Sequence, residues 1–329
     1  MKNKKRHVGL DALRVLAVFL VVVGHSGGPA VIHEFIYGWH VPLFFFLSGW
    51  FYSPGRTLGD ELRKRWETIG RPYIVWLVII GAVYVCAELL RDEMKVGDLL
   101  RLVWGGSRLA EPFSAFWFMS ALFVAALIYR WGRESNRSKL LILVAAGMYL
   151  AAYAFPRWVA LLPGSVGMGV VCLLFIAGGE WSRRHVPEAG LLSPVPWIAM
   201  GVPSLAWISG ALPPLDLKYG QIGLPVLSFL ASLAFCWGIT VAFSRLEIDA
   251  ESRLGGAVTT LSHGGTGVVF LHPVLLWVGL SSALPWPLGP LVVTVVCWVA
   301  VTVAAASPLL DFFLLGGQRG RGGLLPARS

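Results

Sequence analysis

The chain has 329 residues, of which 56% are hydrophobic and 14% charged, and its mean hydropathy is +0.70. Soluble domains carry about 25% charged residues, so the apolar excess exceeds what a soluble core uses and points to helices of roughly 20 apolar residues that span a membrane. The +9 charge lies mainly in loops between apolar runs, which argues for membrane topology and against a nucleic-acid partner.

Apolar runs fall at about 9–27, 33–52, 70–90, 114–131, 139–156, 158–180, 190–210, 219–244, 256–283 and 288–315. They predict an all-α, polytopic membrane bundle of about ten transmembrane helices in the cell membrane. With the N-terminus placed inside, twenty of the 27 lysines and arginines fall on the cytoplasmic side and six outside, Arg14 lying within the first span. That bias predicts an even number of spans with both termini cytoplasmic. Residues 1–315 read as a single transmembrane domain, and the Gly-rich basic stretch 316–329 as a disordered cytoplasmic tail. The stretch 53–71 reads as a basic, partly helical cytoplasmic segment. The stretch 91–113, with Leu99, Leu100, Leu102, Val103 and Trp104, reads as an interfacial segment.

Ionisable residues inside spans cost about 2.5–3.5 kcal/mol each at a helix centre and are candidates for function. The first span carries Asp11, Arg14 and His25. Arg14 and His25 are eleven residues apart, which puts them on one face to within about 20° and separates them by about 16 Å. Asp11, three residues before Arg14, is placed to pair with it. A bland reading competes with this one, since Asp11 and Arg14 could reach the interface and His25 could be a satisfied histidine near the outer end.

The second span carries His33, Glu34 and His40. The two histidines are seven apart and share a face in a continuous helix. His33 and Glu34 sit at the outer mouth, where solvation and substrate contact fit equally well. Arg71 precedes Pro72 at the start of the third run and also reads as a simple inside anchor. His272, followed by Pro273, lies at mid-depth and needs a buried partner. His263 lies near the inner end of the same run, where water could satisfy it. The cysteines Cys86, Cys172, Cys236 and Cys297 have no metal or redox spacing, and no metal is expected.

The stretch from Leu10 to Arg14 through His25 resembles the Arg-x10-His signature of the membrane acyltransferase-3 family. IYGWHVPLFFFLSGWFY (36–52) is similar to the HxPLFFxxSG segment of its fucose 4-O-acetylase-like branch. RWETIGRPY (65–73), FWFMSALF (116–123, with Met119 where the family more often has Leu) and GVVFLH (267–272) resemble further segments in the same order. The resemblance runs the length of the chain. It implies an acyl donor, usually acetyl-CoA, reached from the cytoplasm, and an acceptor hydroxyl on a sugar, glycan or glycosylated metabolite. It also implies that Arg14 and His25 are the essential pair.

Acyl transfer to an alcohol needs a base and a stabilised oxyanion. His25 is the candidate base, with His40 orienting or assisting it. Arg14, oriented by Asp11, is the candidate for a coenzyme A phosphate, with Arg65 and Arg71 helping. His33, Glu34, Trp117 and His272 are the candidate acceptor contacts. Two alternatives stay open. A secondary transporter also suits intramembrane His and Arg on Gly/Pro-interrupted helices. A structural or lipid-sensing role leaves the aligned Asp11, Arg14 and His25 without a purpose.

Overall fold

The computed structural model describes residues 7–93, 95–185 and 193–317. The tail read from the sequence lies outside them from residue 318 onward, as do the N-terminal lysines and the side chain of Leu99. Among the described residues the chain is helical, with one isolated antiparallel bridge between Asp216 and Gln221.

Helix α1 (Val8–His25) is an uninterrupted apolar helix. It ends where Gly27 and Gly28 turn the chain with φ of +72° and +143°, a region that L side chains avoid. A Cβ at Gly28 would also lie 2.5 Å from the Trp286 indole nitrogen, so only glycine fits. Two short helices follow, α2 (Ala30–Tyr37) and α3 (His40–Trp50). The break between them falls at Gly38, which the Trp207 ring abuts so closely that a Cβ would stand 2.4 Å from it.

Helix α4 (Leu58–Arg65) has a capping box from Thr57 and Asp60, and it passes through a π turn (Trp66–Gly70) into α5 (Arg71–Leu90). The basic segment is therefore the first part of a 33-residue helical run. Helix α6 (Val96–Trp104) occupies the stretch read as interfacial and leaves Leu100 and Val103 exposed. Then come α7 (Phe116–Glu134), α8 (Ser138–Ala154), the short α9 (Pro156–Ala160), α10 (Val166–Arg184) and α11 (Pro194–Ile208). Helices α12 (Leu227–Ser244), α13 (Arg253–Trp277) and α14 (Leu288–Ala304) complete the bundle. The chain then turns by 110° into α15 (Pro308–Leu310) and a π turn (Asp311–Leu315).

Each of the ten apolar runs thus contains helix, but fewer meet a strict spanning criterion. Among the described residues five helices are long and apolar enough to cross a membrane, and six if the bent final pair counts as one. Helices α8 and α11 are shorter, at 17 and 15 residues. Helix α13 is long enough but diluted by Gly, Ser, Thr and His.

Helix α1 packs against α12 and α13, and α3 against α10. The α3–α10 contact is made by glycine. A Cβ at Gly49 would fall 1.8 Å from the Ile176 carbonyl oxygen, and one at Gly179 would fall 1.9 Å from that of Phe46. Small residues let helix backbones meet where lipid supplies no hydrophobic drive between helices. Outside, Val78, Leu143, Leu205 and Val299 are each more than half exposed. An apolar exterior of this kind suits lipid rather than water.

Candidate active site

The end of α1 that carries His25 meets α2, α3 and α13, and each brings an aromatic or imidazole ring. His25 lies 5.5 Å from His272 and 6.3 Å from His40, ring centre to ring centre. Tyr37 sits 5.8 Å from His25 and 4.8 Å from His40, with its hydroxyl 3.4 Å from His25 Nδ1. The exposed His33 ring stacks on Tyr37 at 3.8 Å.

The tautomers of two imidazoles follow from their partners. His40 Nδ1 lies 2.9 Å from the Ile36 carbonyl and His272 Nδ1 lies 3.1 Å from that of Val268. A carbonyl oxygen only accepts, so in both rings Nδ1 carries the hydrogen and the neutral ring presents a lone pair at Nε2. Pro273 has no N–H to give Val269, and the His272 ring stands beside that carbonyl as well. His272 Nε2 is fully buried and has no hydrogen-bond partner, an arrangement that in native proteins asks for an explanation.

The other end of α1 is basic. Arg14 pairs with Asp11 at 3.1 Å, and Asp11 also accepts from Ser262 on α13 at 3.1 Å. The Arg14 side chain is 42% exposed, and its guanidinium lies over the Phe51 ring at 4.5 Å. Nearby, the buried Glu61 draws Arg65 at 2.7 Å, Arg130 at 3.5 Å and Arg56 at 3.9 Å. Arg65 also donates to the Ser48 hydroxyl at 2.6 Å. Lys64 lies within range of the Arg14, Arg56, Arg65 and Glu61 charges. Five cations therefore gather around two carboxylates, leaving an excess of positive charge. Another buried carboxylate, Glu180, accepts from Tyr129, Arg133 and Arg184 and ties α10 to α7.

Of the residues singled out in the sequence, the structure brings His25, His33, His40 and His272 together at one end, and Asp11, Arg14 and Arg65 at the other. Arg71 is directed elsewhere, with its guanidinium 3.5 Å from the Phe312 ring. Trp117 is buried in the core beside Phe118 and has no ring contact with the histidines. Glu34 is half-buried without a described side-chain partner. The seven-residue spacing of His33 and His40 does not act through one helix face, because the break at Gly38 places them on different helices. Tyr37 bridges them instead. Sequence reasoning missed Tyr37, although its position four residues after His33 was a usable signal. It also left His263 to water, whereas the ring pairs with Asp311 at 2.5 Å.

The 211–226 loop packs against α2 beside the histidines. Leu215 N–H donates to the Tyr37 carbonyl at 3.4 Å. Lys218 lies close enough for its charge to be felt at His25, and Asp216 is similarly close to His33. Burial pushes the Lys218 ammonium down to about 8 and raises the Asp216 and Glu111 carboxyls above the usual carboxylate range. Among the described residues no group of three or more His, Cys, Asp or Glu has the arrangement of a metal site.

The family model described as an acyltransferase domain, that of the acyltransferase-3 family, matches residues 7–307 of the chain. No curated protein and no solved structure matches it.

Proposed function

The chain belongs to the acyltransferase-3 family, and on that premise we propose that it moves an acetyl group from cytoplasmic acetyl-CoA to a hydroxyl of a sugar, glycan or glycosylated metabolite. Another acyl-CoA would be handled in the same way. One observation carries the reading. A single unbroken helix holds Arg14 among surplus cations at one end and His25 among imidazoles at the other, about 16 Å apart. The basic end suits the phosphates of coenzyme A, which guanidinium groups bind through paired hydrogen bonds. The imidazole end suits the proton transfer.

In this scheme His25 gives its Nδ1–H to the Tyr37 oxygen and presents Nε2 as the base. Nε2 takes the proton of the acceptor hydroxyl as its oxygen attacks the thioester carbonyl. The tetrahedral oxyanion collapses, the carbon–sulfur bond breaks, and His25 returns the proton to the leaving sulfur. His40 stands beside Tyr37 and helps to orient it and His25. The proposed topology is a single domain over 1–315 with about ten spans and both termini cytoplasmic, in the cell membrane, so that the basic end faces the donor.

The first test is calorimetric titration of acetyl-CoA into the detergent-solubilised protein and into Arg14→Ala. Saturable binding that weakens in the variant supports the reading. Absence of binding by folded protein removes the donor and brings transport assays forward.

A further inference from the structure

Above the histidines, the 211–226 loop is built as a fixed surface. Asp216 and Gln221 form an antiparallel bridge, and Gln221 N–H donates to the Asp216 carbonyl at 2.9 Å. The fully buried Ser228 hydroxyl donates to the Pro213 carbonyl at 3.1 Å and accepts from Leu224 N–H at 2.9 Å. Gly220 has φ +72° and lies so close to Pro156 that a Cβ would stand 2.5 Å from its carbonyl oxygen. The loop is thus tied to α2, α9 and α12 before any ligand arrives.

This surface holds Lys218, which is nine-tenths buried. Its ammonium forms no ion pair among the described residues, although Asp216 and Glu111 are near enough for their charges to act on it. A buried cation that stops short of its counter-charges is costly unless something else completes its hydrogen bonds. Within the loop, Asp216 Oδ1 already accepts from Lys218 N–H at 3.2 Å and leaves its second oxygen for another donor. A ligand reaching this point would also meet the Tyr37 hydroxyl, the His33 ring and, below them, His25.

We propose that Lys218, Asp216 and Glu111 form the acceptor subsite, and that it takes adjacent hydroxyls of an uncharged sugar rather than a sugar acid. Each hydroxyl both donates and accepts, so a diol can give its hydrogens to the carboxylates and receive one from the ammonium. One cation between two carboxylates leaves a formal surplus of negative charge, which disfavours a carboxylate or phosphate on the ligand. The inference rests on the acyltransferase reading above and adds to it the residues and the charge class of the acceptor.

The test is calorimetric titration of methyl glycosides of neutral hexoses and deoxyhexoses, beside the matching methyl uronides, into the full chain in detergent. Acetyl-CoA is titrated into the same preparations, and its unchanged affinity certifies the fold of each variant. Neutral glycosides are expected to bind more tightly than uronides. Their affinity is expected to fall about tenfold or more in Lys218→Gln and Asp216→Asn, as for lost hydrogen bonds to charged groups, with partial recovery in Lys218→Arg. Tighter binding of uronides overturns the proposal, as does glycoside affinity that the substitutions leave unchanged. Lack of glycoside binding by protein that binds acetyl-CoA also overturns it. Lys218-dependent glycoside binding by protein that does not bind acetyl-CoA upholds the subsite and refutes the donor reading. Binding of neither ligand refutes both.

Discussion

Arg14 and His25 share a helix but stand about 16 Å apart, so their removal should damage different steps. A hydrogen bond to a charged group contributes about 1.5–3 kcal/mol, or about 10- to 150-fold in affinity. The Arg14 side chain is 42% exposed, and solvent screening brings the expectation to the lower end. Arg14→Ala should therefore weaken acetyl-CoA binding about tenfold and leave kcat at saturating donor within a small factor. His25→Ala removes the proposed base, a contribution of about 10²–10⁴ in rate, and should leave donor affinity unchanged. Sites farther apart than roughly 7–10 Å act additively, so the double variant should bind acetyl-CoA as Arg14→Ala does and turn over as His25→Ala does. Calorimetry gives the affinity, and thiol release with acceptor present gives the rate. Loss of donor affinity in His25→Ala, or a hundredfold fall in saturated rate in Arg14→Ala, would refute the division of labour.

Tyr37→Phe deletes one long neutral hydrogen bond to His25, worth about 0.5–1 kcal/mol, so kcat should fall about two- to fivefold without a change in donor affinity; a thousandfold loss would make Tyr37 a direct participant instead. Gly49→Ala puts a Cβ 1.8 Å from the Ile176 oxygen, forcing α3 from α10 at a cost of about 1–3 kcal/mol; melting in detergent should drop by several degrees, and an unchanged Tm would mean that the helices do not meet through that glycine. Neutral-glycoside affinity should decline as pH rises from 7 through about 8, where Lys218 loses its proton, while Lys218→Arg should stay flat. The groups facing Lys218 are Asp216, Glu111, His25 and Tyr219, and removing the lysine proton leaves the two carboxylates without their cation. The Lys218 value in the folded chain lies below its ordinary 10.5, so between about 8 and 10.5 the unfolded chain holds more protons and this group adds stability as pH rises. A melting curve that falls over the same window would point to unfolding in place of deprotonation.

Where a feature lay on one unbroken helix, the sequence was enough to find it. The Asp11–Arg14 pair and the placement of His25 follow from the 3.6-residue repeat because α1 has no interruption. His33 and His40 were joined by the same arithmetic, which fails across Gly38. The signal for that break is weak in the sequence because it comes from Trp207, 169 residues further along. Lys218 and Asp216 sit in a loop, where no period marks a buried face, and they reach the histidines only because the loop folds back onto α2. Glu61 gathers Arg65 from its own helix, but Arg130 comes from α7. Partners of that kind are set by tertiary packing and leave no local trace.

The interruptions that obscured the pattern are also what build the site. A helix carbonyl has a second lone pair, and a side chain four residues on can donate to it. The Ile36 carbonyl also accepts from Trp39 N–H at 3.2 Å, and Pro273 withholds a donor only from Val269, one residue beyond the carbonyl that His272 meets. His40 and His272 give their Nδ1 hydrogens to backbone oxygen in this way and keep Nε2 for other partners. His25, on the intact helix, has only Tyr37 at Nδ1, so its tautomer is held by a side chain and can change when a substrate changes that side chain's bonding. The fixed imidazoles suit orientation and hydrogen bonding, and the loosely held one suits cycling a proton. That contrast supports proposing His25, and neither neighbour, as the base.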